Sequence, residues 1–272
     1  MNIAGAPISW GVCEVPGWGH QLPADRVLRE MRQLGLAATE FGPEGYLNAT
    51  VCAGHGLTAA GAFVPVVLHE SGSDAAIDEA IIKLTGTDAV LVLAAATGRD
   101  GYDGRPSLDE AGWGTLLANL DRAAERAATQ GFATTLHPHV GTMIERTDEV
   151  RRALEGSRVD LCLDTGHLLI GGTDPAELAR EYPDRVGHVH LKDVDAALAK
   201  RVRTGELGYT DAVKNGLYRP LGDGDVDIAG VVSALGDFTG WYVLEQDTIL
   251  SDPMTDPAVD VQRSLDYLTS LA

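Results

Sequence analysis

Eight short apolar segments recur along this 272-residue chain, and each is separated from the next by a segment with helical character. An alternation of strands and helices is typical of a parallel sheet covered by helices. Eight such units fit the length of a (β/α)8 TIM barrel, which is ~250 residues. We therefore predict an α/β fold in which residues 1–272 form a single-domain (β/α)8 barrel, with strands at residues 3–8, 37–41, 59–66, 89–95, 132–136, 159–163, 186–191 and 241–244.

An open, doubly wound sheet is the alternative architecture. A dinucleotide-binding sheet of this kind carries a GxGxxG turn after its first strand, and no such turn follows residues 3–8. Polar clusters also follow four different predicted strands, and barrel enzymes assemble their active sites at this end of the strands. Both observations favour the barrel.

The segments between the predicted strands differ in length and in helical character. We predict a helix over residues 22–34, which places apolar side chains on one face and is followed by Gly35. We predict a second helix over residues 116–129, which are rich in alanine and leucine. The third and fourth strands are joined by a shorter unit, with a helix predicted over residues 74–84. Residues 195–220 form a long excursion before the last strand, and such insertions often act as lids or subunit contacts.

Charge and cysteine content narrow the range of partners. Lysine and arginine number 21 against 40 aspartates and glutamates, which gives a net charge of −19. A surface this acidic repels a phosphate backbone, so we expect no nucleic-acid partner. No apolar segment approaches the ~20 residues of a membrane span, and the N-terminus has no signal-peptide pattern, so we expect no membrane association. The three cysteines are widely spaced and form no CxxC motif, which is typical of a protein in the reducing cytoplasm. A homo-oligomer is compatible with the sequence.

Imidazoles and carboxylates follow the last four predicted strands. A single histidine at a strand end is usually structural, but four strand ends that carry His, Asp, His and Glu together favour a metal site. Such a mixed nitrogen and oxygen donor set suits a divalent transition metal, and the lack of a thiolate ligand argues against a structural zinc site. We expect Mn²⁺ or Co²⁺, with Zn²⁺, Fe²⁺ or Mg²⁺ as alternatives. The predicted ligands are His137, Asp164, His190 and Glu245, while Cys162 is predicted to pack in the core.

Several motifs resemble those of a known family. The xylose isomerase-like TIM barrels have segments similar to LDTGH, HVHLKD and GDGDVD at residues 163–167, 188–193 and 222–227. Within that family, the inosose dehydratases have segments similar to GAPISWG, EFGPEGY and HPHVGT at residues 5–11, 40–46 and 137–142. The resemblance covers nearly the whole chain. It implies a metal-dependent barrel enzyme that acts on a small sugar or polyol.

One position departs from the usual pattern of this family. Its isomerases and epimerases usually carry a glutamate at the end of strand five, paired with one on strand eight, and the two move a proton between the faces of the substrate. Here strand five ends at His137, as in the dehydratase group. The exchange weakens a symmetrical two-carboxylate epimerisation, although an imidazole can also act as a base.

Other polar and aromatic residues near the predicted strand ends are candidates for catalysis or substrate binding. Glu245, His167 and Lys192 are the predicted catalytic residues, and the sequence does not rank them or His139 as the base. The predicted substrate contacts are Trp10, Glu14, Glu40, His139, His188 and Asp193. Core packing explains Trp10 equally well, and an ion pair explains Glu40 equally well.

Four functional hypotheses follow. The first is a metal-dependent lyase that removes water from an inosose or a related cyclic polyol ketone. The second is a sugar or inosose isomerase or epimerase that uses the same metal. The third, an endonuclease IV-like nuclease, is disfavoured by the net charge of −19. The fourth is a barrel without catalytic activity that serves as a binding module.

Overall fold

The computed structural model describes residues 1–271, and eight of its strands close into a parallel barrel. The strands are β1 (Asn2–Gly5), β2 (Ala38–Glu40), β3 (Thr58–Val66), β4 (Val90–Ala95), β5 (Thr134–Leu136), β6 (Asp160–Asp164), β7 (Val186–Leu191), β8 (Asp193–Val194), β9 (Tyr218–Arg219) and β10 (Trp241–Leu244). The barrel closes because β1 pairs with β2 on one side and β10 on the other. The pair β8 and β9 forms a separate antiparallel ribbon. The predicted TIM barrel is thus confirmed.

Helices follow the barrel strands and cover the outside of the sheet. They are α1 (Ala24–Gln33), α2 (Ala49–Gly54), α3 (Asp74–Ile82), α4 (Glu110–Thr129), α5 (Thr147–Gly156), α6 (Thr165–Gly171), α7 (Pro175–Glu181), α8 (Ala196–Arg203), α9 (Tyr209–Lys214), α10 (Ile228–Leu235) and α11 (Ala258–Ser270). The main apolar core lies between the helices and the sheet, where fully buried leucines and alanines pack. Among the described residues, no helix is both long and apolar enough to cross a membrane.

Most predicted boundaries differ from the observed ones by one or two residues, and two differ by more. The first strand ends at Gly5 instead of continuing to residue 8, because residues Pro7–Trp10 form a 3-10 turn that begins with a proline. Proline has no backbone N–H for the sheet ladder, so it favours this early end of the strand. The helix predicted over residues 116–129 begins earlier, at Glu110, because the Asp109 side chain accepts a hydrogen bond from the Gly112 N–H and caps the helix.

The excursion between β7 and β10 contains α8, α9 and the β8–β9 ribbon. Its base is organised by the buried carboxylate of Asp193, which accepts hydrogen bonds at 2.9–3.0 Å from the backbone N–H groups of Val194, Gly222, Gly224 and Val226. A Cβ at position 224 would collide with this carboxylate, so the close approach requires glycine. Asp193 therefore holds the GDGDVD turn to the end of β7.

Candidate metal centre and adjoining cavity

Four side chains from the ends of successive barrel strands lie together inside the barrel mouth. His137 Nε2 lies 3.0 Å from His190 Nδ1 and 3.3 Å from Asp164 Oδ2. His190 Nδ1 lies 3.5 Å from Asp164 Oδ2 and 3.2 Å from Glu245 Oε2. All four side chains are almost fully buried. The four residues that the sequence selects as ligands are thus neighbours in space.

The donor atoms of this cluster fit a transition-metal ion. With metal–ligand bonds of about 2.0–2.2 Å, adjacent donors in a tetrahedral or octahedral shell lie about 3.0–3.5 Å apart. The distances in the cluster fall in that range. Asp164 contributes Oδ2, which is buried and receives no hydrogen bond, while its Oδ1 accepts from the His167 N–H at the start of α6. A bound cation would satisfy this otherwise unpaired oxygen.

Glu40 orients one of these ligands from below. Its Oε1 accepts hydrogen bonds from His190 Nε2 at 3.0 Å and from His188 Nε2 at 2.8 Å. Because His190 donates through Nε2, its Nδ1 faces the cluster, and this nitrogen would offer its lone pair to a metal ion once it loses its proton. Carboxylates commonly orient metal-bound histidines in this way. Burial alone would raise the pKa of Glu40, but the two imidazoles hold it below its usual range.

The electrostatics of the cluster attract a cation. Four buried carboxylates lie in or beside the cluster, and Lys192 is the single ammonium group among them; the carboxylates belong to Glu40, Asp164, Glu245 and Asp247. Burial alone would lower the pKa of His190, but neighbouring negative groups including Glu245 and Glu40 raise it well above its usual value. The same surroundings stabilise a metal ion, which would replace a proton at this imidazole.

Lys192 supplies the single ammonium group. Its Nζ lies 2.8 Å from Glu245 Oε2, 2.9 Å from Asp247 Oδ1 and 3.2 Å from His167 Nε2. Burial would lower the pKa of Lys192, but the surrounding carboxylates, Asp164 first among them, raise it well above its usual value. The side chain is therefore a charged hydrogen-bond donor beside a predicted metal ligand.

A cavity of about 250 Å³ opens above the cluster. Its floor includes His137, His190, Lys192 and Glu245. Three aromatic side chains form its walls: Trp18 and Tyr102 from loops, and Phe63 from β3. Glu14 is exposed at the mouth. Concave, partly apolar sites with a few convergent polar groups are typical of small-molecule binding.

His139 faces this cavity and His167 lies behind it. The two imidazole rings pack with centroids 3.7 Å apart. His139 Nδ1 donates to the Val140 carbonyl at 2.7 Å, and burial lowers the pKa of this histidine to about 3. Its Nε2 is therefore an unprotonated acceptor. His167 instead contacts Lys192, so it acts on the cavity only through its neighbours.

Several predicted site residues do not line the cavity. Trp10 is fully buried and its indole donates to Glu30 at 2.8 Å, which favours the packing alternative over substrate stacking. Asp193 holds backbone turns and His188 donates to Glu40, so neither contacts the cavity. Cys162 is buried beside His137 and His190. Burial raises the pKa of its thiol to about 12, which agrees with a packing role.

Sequence reasoning assigned no role to Asp247, Phe63 or Tyr102, although all three line the cavity. The sequence does contain a pattern that indicates Asp247. This residue follows Glu245 by two positions, and side chains two apart in an extended chain face the same way. Tyr102 lies in the loop between β4 and α4, where no periodic pattern indicates which side chains turn inward.

The barrel and the polar cluster at its mouth agree with the family comparison. Residues 75–271 match the model of the xylose isomerase-like TIM barrel family. The chain therefore belongs to this family, as the sequence motifs indicate.

Two curated relatives cover almost the whole chain. The chain is 34% identical over 275 residues to the rhizopine catabolism protein MocC of Rhizobium meliloti, covering 94% of this chain and 85% of that protein. It is 31% identical over 283 residues to the inosose dehydratase of Geobacillus kaustophilus, covering 94% and 91%. Further relatives of 27–28% identity are also named inosose dehydratase.

Solved structures show the same barrel at much lower identity. The IolI protein with a bound zinc atom superposes with a TM-score of 0.73 at 13% identity, covering 100% of this chain and 98% of its own. The probable 3-DHS dehydratase AsbF from Bacillus anthracis gives a TM-score of 0.71 at 13% identity, covering 99% of each chain. An L-ribulose 3-epimerase gives 0.68 at 15% identity, covering 99% and 93%. At this level of identity, these structures support the fold alone.

Proposed function

We propose that the chain is a divalent-metal-dependent lyase that removes water from an inosose or a related cyclic polyol ketone. The observation that carries the proposal is the cluster of His137, Asp164 and His190, whose donor atoms lie 3.0–3.5 Å apart, with Glu245 Oε2 3.2 Å from His190 Nδ1, beside Lys192 and under a small cavity. Relatives of 27–31% identity that cover nearly the whole chain are named inosose dehydratase, which supports this substrate class.

The proposed cofactor is Mn²⁺ or Co²⁺, with Zn²⁺, Fe²⁺ or Mg²⁺ as alternatives. Two imidazole nitrogens and two carboxylate oxygens suit these divalent ions better than they suit a soft, thiolate-binding ion. When bound, such an ion polarises a ketone oxygen and stabilises the negative charge that develops when the adjacent carbon loses a proton.

The chain's own residues supply the proton transfers. Dehydration breaks a C–H bond next to the ketone and then a C–O bond, and the hydroxyl group leaves as water with one added proton. The Glu245 carboxylate and His139 Nε2 are both unprotonated acceptors at the cavity, so each can receive the first proton. Lys192 Nζ is a charged donor beside Glu245 and can give the second. The aromatic walls exclude water around the substrate ring.

The assay is incubation of the metal-loaded protein with scyllo-inosose. Dehydration forms a dione with new ultraviolet absorbance, and mass spectrometry detects the loss of one water molecule. Asp164→Asn should reduce the rate roughly 1,000-fold, because several kcal/mol of charge stabilisation are lost. Asp160→Asn is the matched control on the same strand, since Asp160 is exposed at the opposite end of β6. Full activity of Asp164→Asn would contradict the proposal.

Isomerisation or epimerisation is the second candidate. The same convergence of metal ligands, Glu245 and Lys192 can remove a proton next to a ketone and return it to another carbon or to the other face. The experiment separates the two reactions, because isomerisation leaves the substrate mass unchanged. His137 stands where a second glutamate would serve symmetrical proton transfer, and this favours dehydration. The cytoplasmic location and a homo-oligomeric state stay predictions.

A further inference from the structure

The long excursion sends one side chain into the polar cluster. Tyr209, the first residue of α9, is fully buried, and its ring packs 4.7 Å from that of Tyr102. Its backbone N–H donates to Asp103 Oδ1 at 3.1 Å, so the start of α9 is held against the loop that follows β4. Two separate loops therefore fix the position of this tyrosine.

The hydrogen bonds of Tyr209 have a defined direction. Its hydroxyl donates to Asp247 Oδ2 at 2.6 Å, because a carboxylate can only accept. The single hydroxyl hydrogen is then used, so Tyr218 must donate to Tyr209 across their 2.9 Å contact. Burial raises the pKa of Tyr209 well above its usual value, which keeps it a donor.

Asp247 connects this tyrosine to Lys192. One carboxylate oxygen accepts from Tyr209 and the other accepts from Lys192 Nζ at 2.9 Å. The hydrogen bond from Tyr209 therefore sets the plane of the carboxylate. An ammonium group has three hydrogens, and those of Lys192 are directed to Glu245, Asp247 and His167. Without Tyr209, Asp247 can rotate, and Lys192 loses one of the three contacts that fix its ammonium group.

We propose that Tyr209 is a positioning residue that places the Lys192 ammonium group through Asp247. This inference rests on the proposed function to the extent that Lys192 delivers a proton to the leaving hydroxyl. It also gives a function to the excursion between β7 and β10, because α9 in this excursion brings the Tyr209 hydroxyl group to Asp247. A displacement of about 1 Å in a reacting group can slow catalysis by about 100-fold, so a buried tyrosine outside the cavity lining can control the rate.

The first test needs no substrate. Lysine ammonium signals are recorded by ¹H–¹⁵N NMR on the Zn²⁺-loaded protein, and Lys192→Arg identifies the signal of Lys192. Tyr209→Phe should shift or abolish that signal, and Asp247→Asn should do the same although the Tyr209 hydroxyl stays in place. Tyr46→Phe is the matched control, because it removes another tyrosine hydrogen bond, to the Leu22 carbonyl, away from the site. An unchanged Lys192 signal in Tyr209→Phe would overturn the proposal.

The second test uses the inosose assay. Tyr209→Phe should lower kcat roughly 10- to 100-fold, the range for loss of a supporting contact, while KM and Mn²⁺ affinity stay at the wild-type values. The double variant Tyr209→Phe/Asp247→Asn should be no slower than Asp247→Asn alone, whereas multiplied effects would contradict action through Asp247. If the wild type leaves inosose unchanged, the proposed function fails, and the NMR result still decides the role of Tyr209.

Discussion

Removal of the Asp193 carboxylate should destabilise the barrel and leave substrate binding intact. The carboxylate accepts four backbone hydrogen bonds at 2.9–3.0 Å. Two of the donors belong to the buried residues Val194 and Val226, whereas Gly222 and Gly224 lie nearer the solvent and can regain water. Each buried N–H left without a partner costs about 1–3 kcal/mol. Asp193→Ala should therefore lower the free energy of unfolding by roughly 2–6 kcal/mol.

Urea denaturation followed by circular dichroism measures this change. Asp195→Ala is the matched control, because Asp195 is a less buried acidic residue two positions away that caps α8 through one hydrogen bond to the Leu198 N–H. Loss of such a cap costs about 1 kcal/mol. In the folded fraction of Asp193→Ala, KM for inosose should equal that of the wild type. A stable Asp193→Ala protein with a raised KM would refute this reasoning and restore Asp193 as a substrate contact.

Three further predictions concern metal binding and the core. Glu40→Gln should weaken Mn²⁺ binding about 10- to 100-fold in calorimetric titration, because a neutral amide orients His190 less well than a carboxylate; unchanged affinity would show that this contact is irrelevant. Mn²⁺ at 100 times its Kd should stabilise the fold by about 2.7 kcal/mol and raise Tm by about 5–10 °C, and a constant Tm would argue against the site. Trp10→Phe should cost about 1–2 kcal/mol through the lost hydrogen bond to Glu30, without a change in KM; a raised KM would indicate substrate stacking.

The local pattern of the chain accounts for most of the barrel. All eight predicted strands have a counterpart among the barrel strands, and residues 186–191 and 241–244 match β7 and β10 at both ends. Periodicity identifies such elements because apolar burial imposes it directly. The errors lie at boundaries, where a single proline or an Asp109 cap decides and periodicity carries no signal.

The candidate site is only partly readable from the sequence. The four predicted ligands converge because parallel strands bring their carboxyl ends to one barrel face, a consequence of topology. Topology does not fix whether a side chain at a strand end points into the cavity. Trp10 and Asp193 follow strands as the ligands do, yet each is fixed by partners outside the cavity, and those partners come from distant parts of the chain.

The sequence by itself predicted the barrel and the family, which are confirmed, and four candidate metal ligands that lie together in the structure, because strand alternation and strand-end chemistry are local properties of the chain. Only the tertiary structure decided that Glu40 orients His190, that His139 rather than His167 faces the cavity, and that Tyr209 reaches Asp247. These contacts join residues from 38 to 150 positions apart. Such pairings depend on how loops and strands pack in three dimensions, and no local period encodes them.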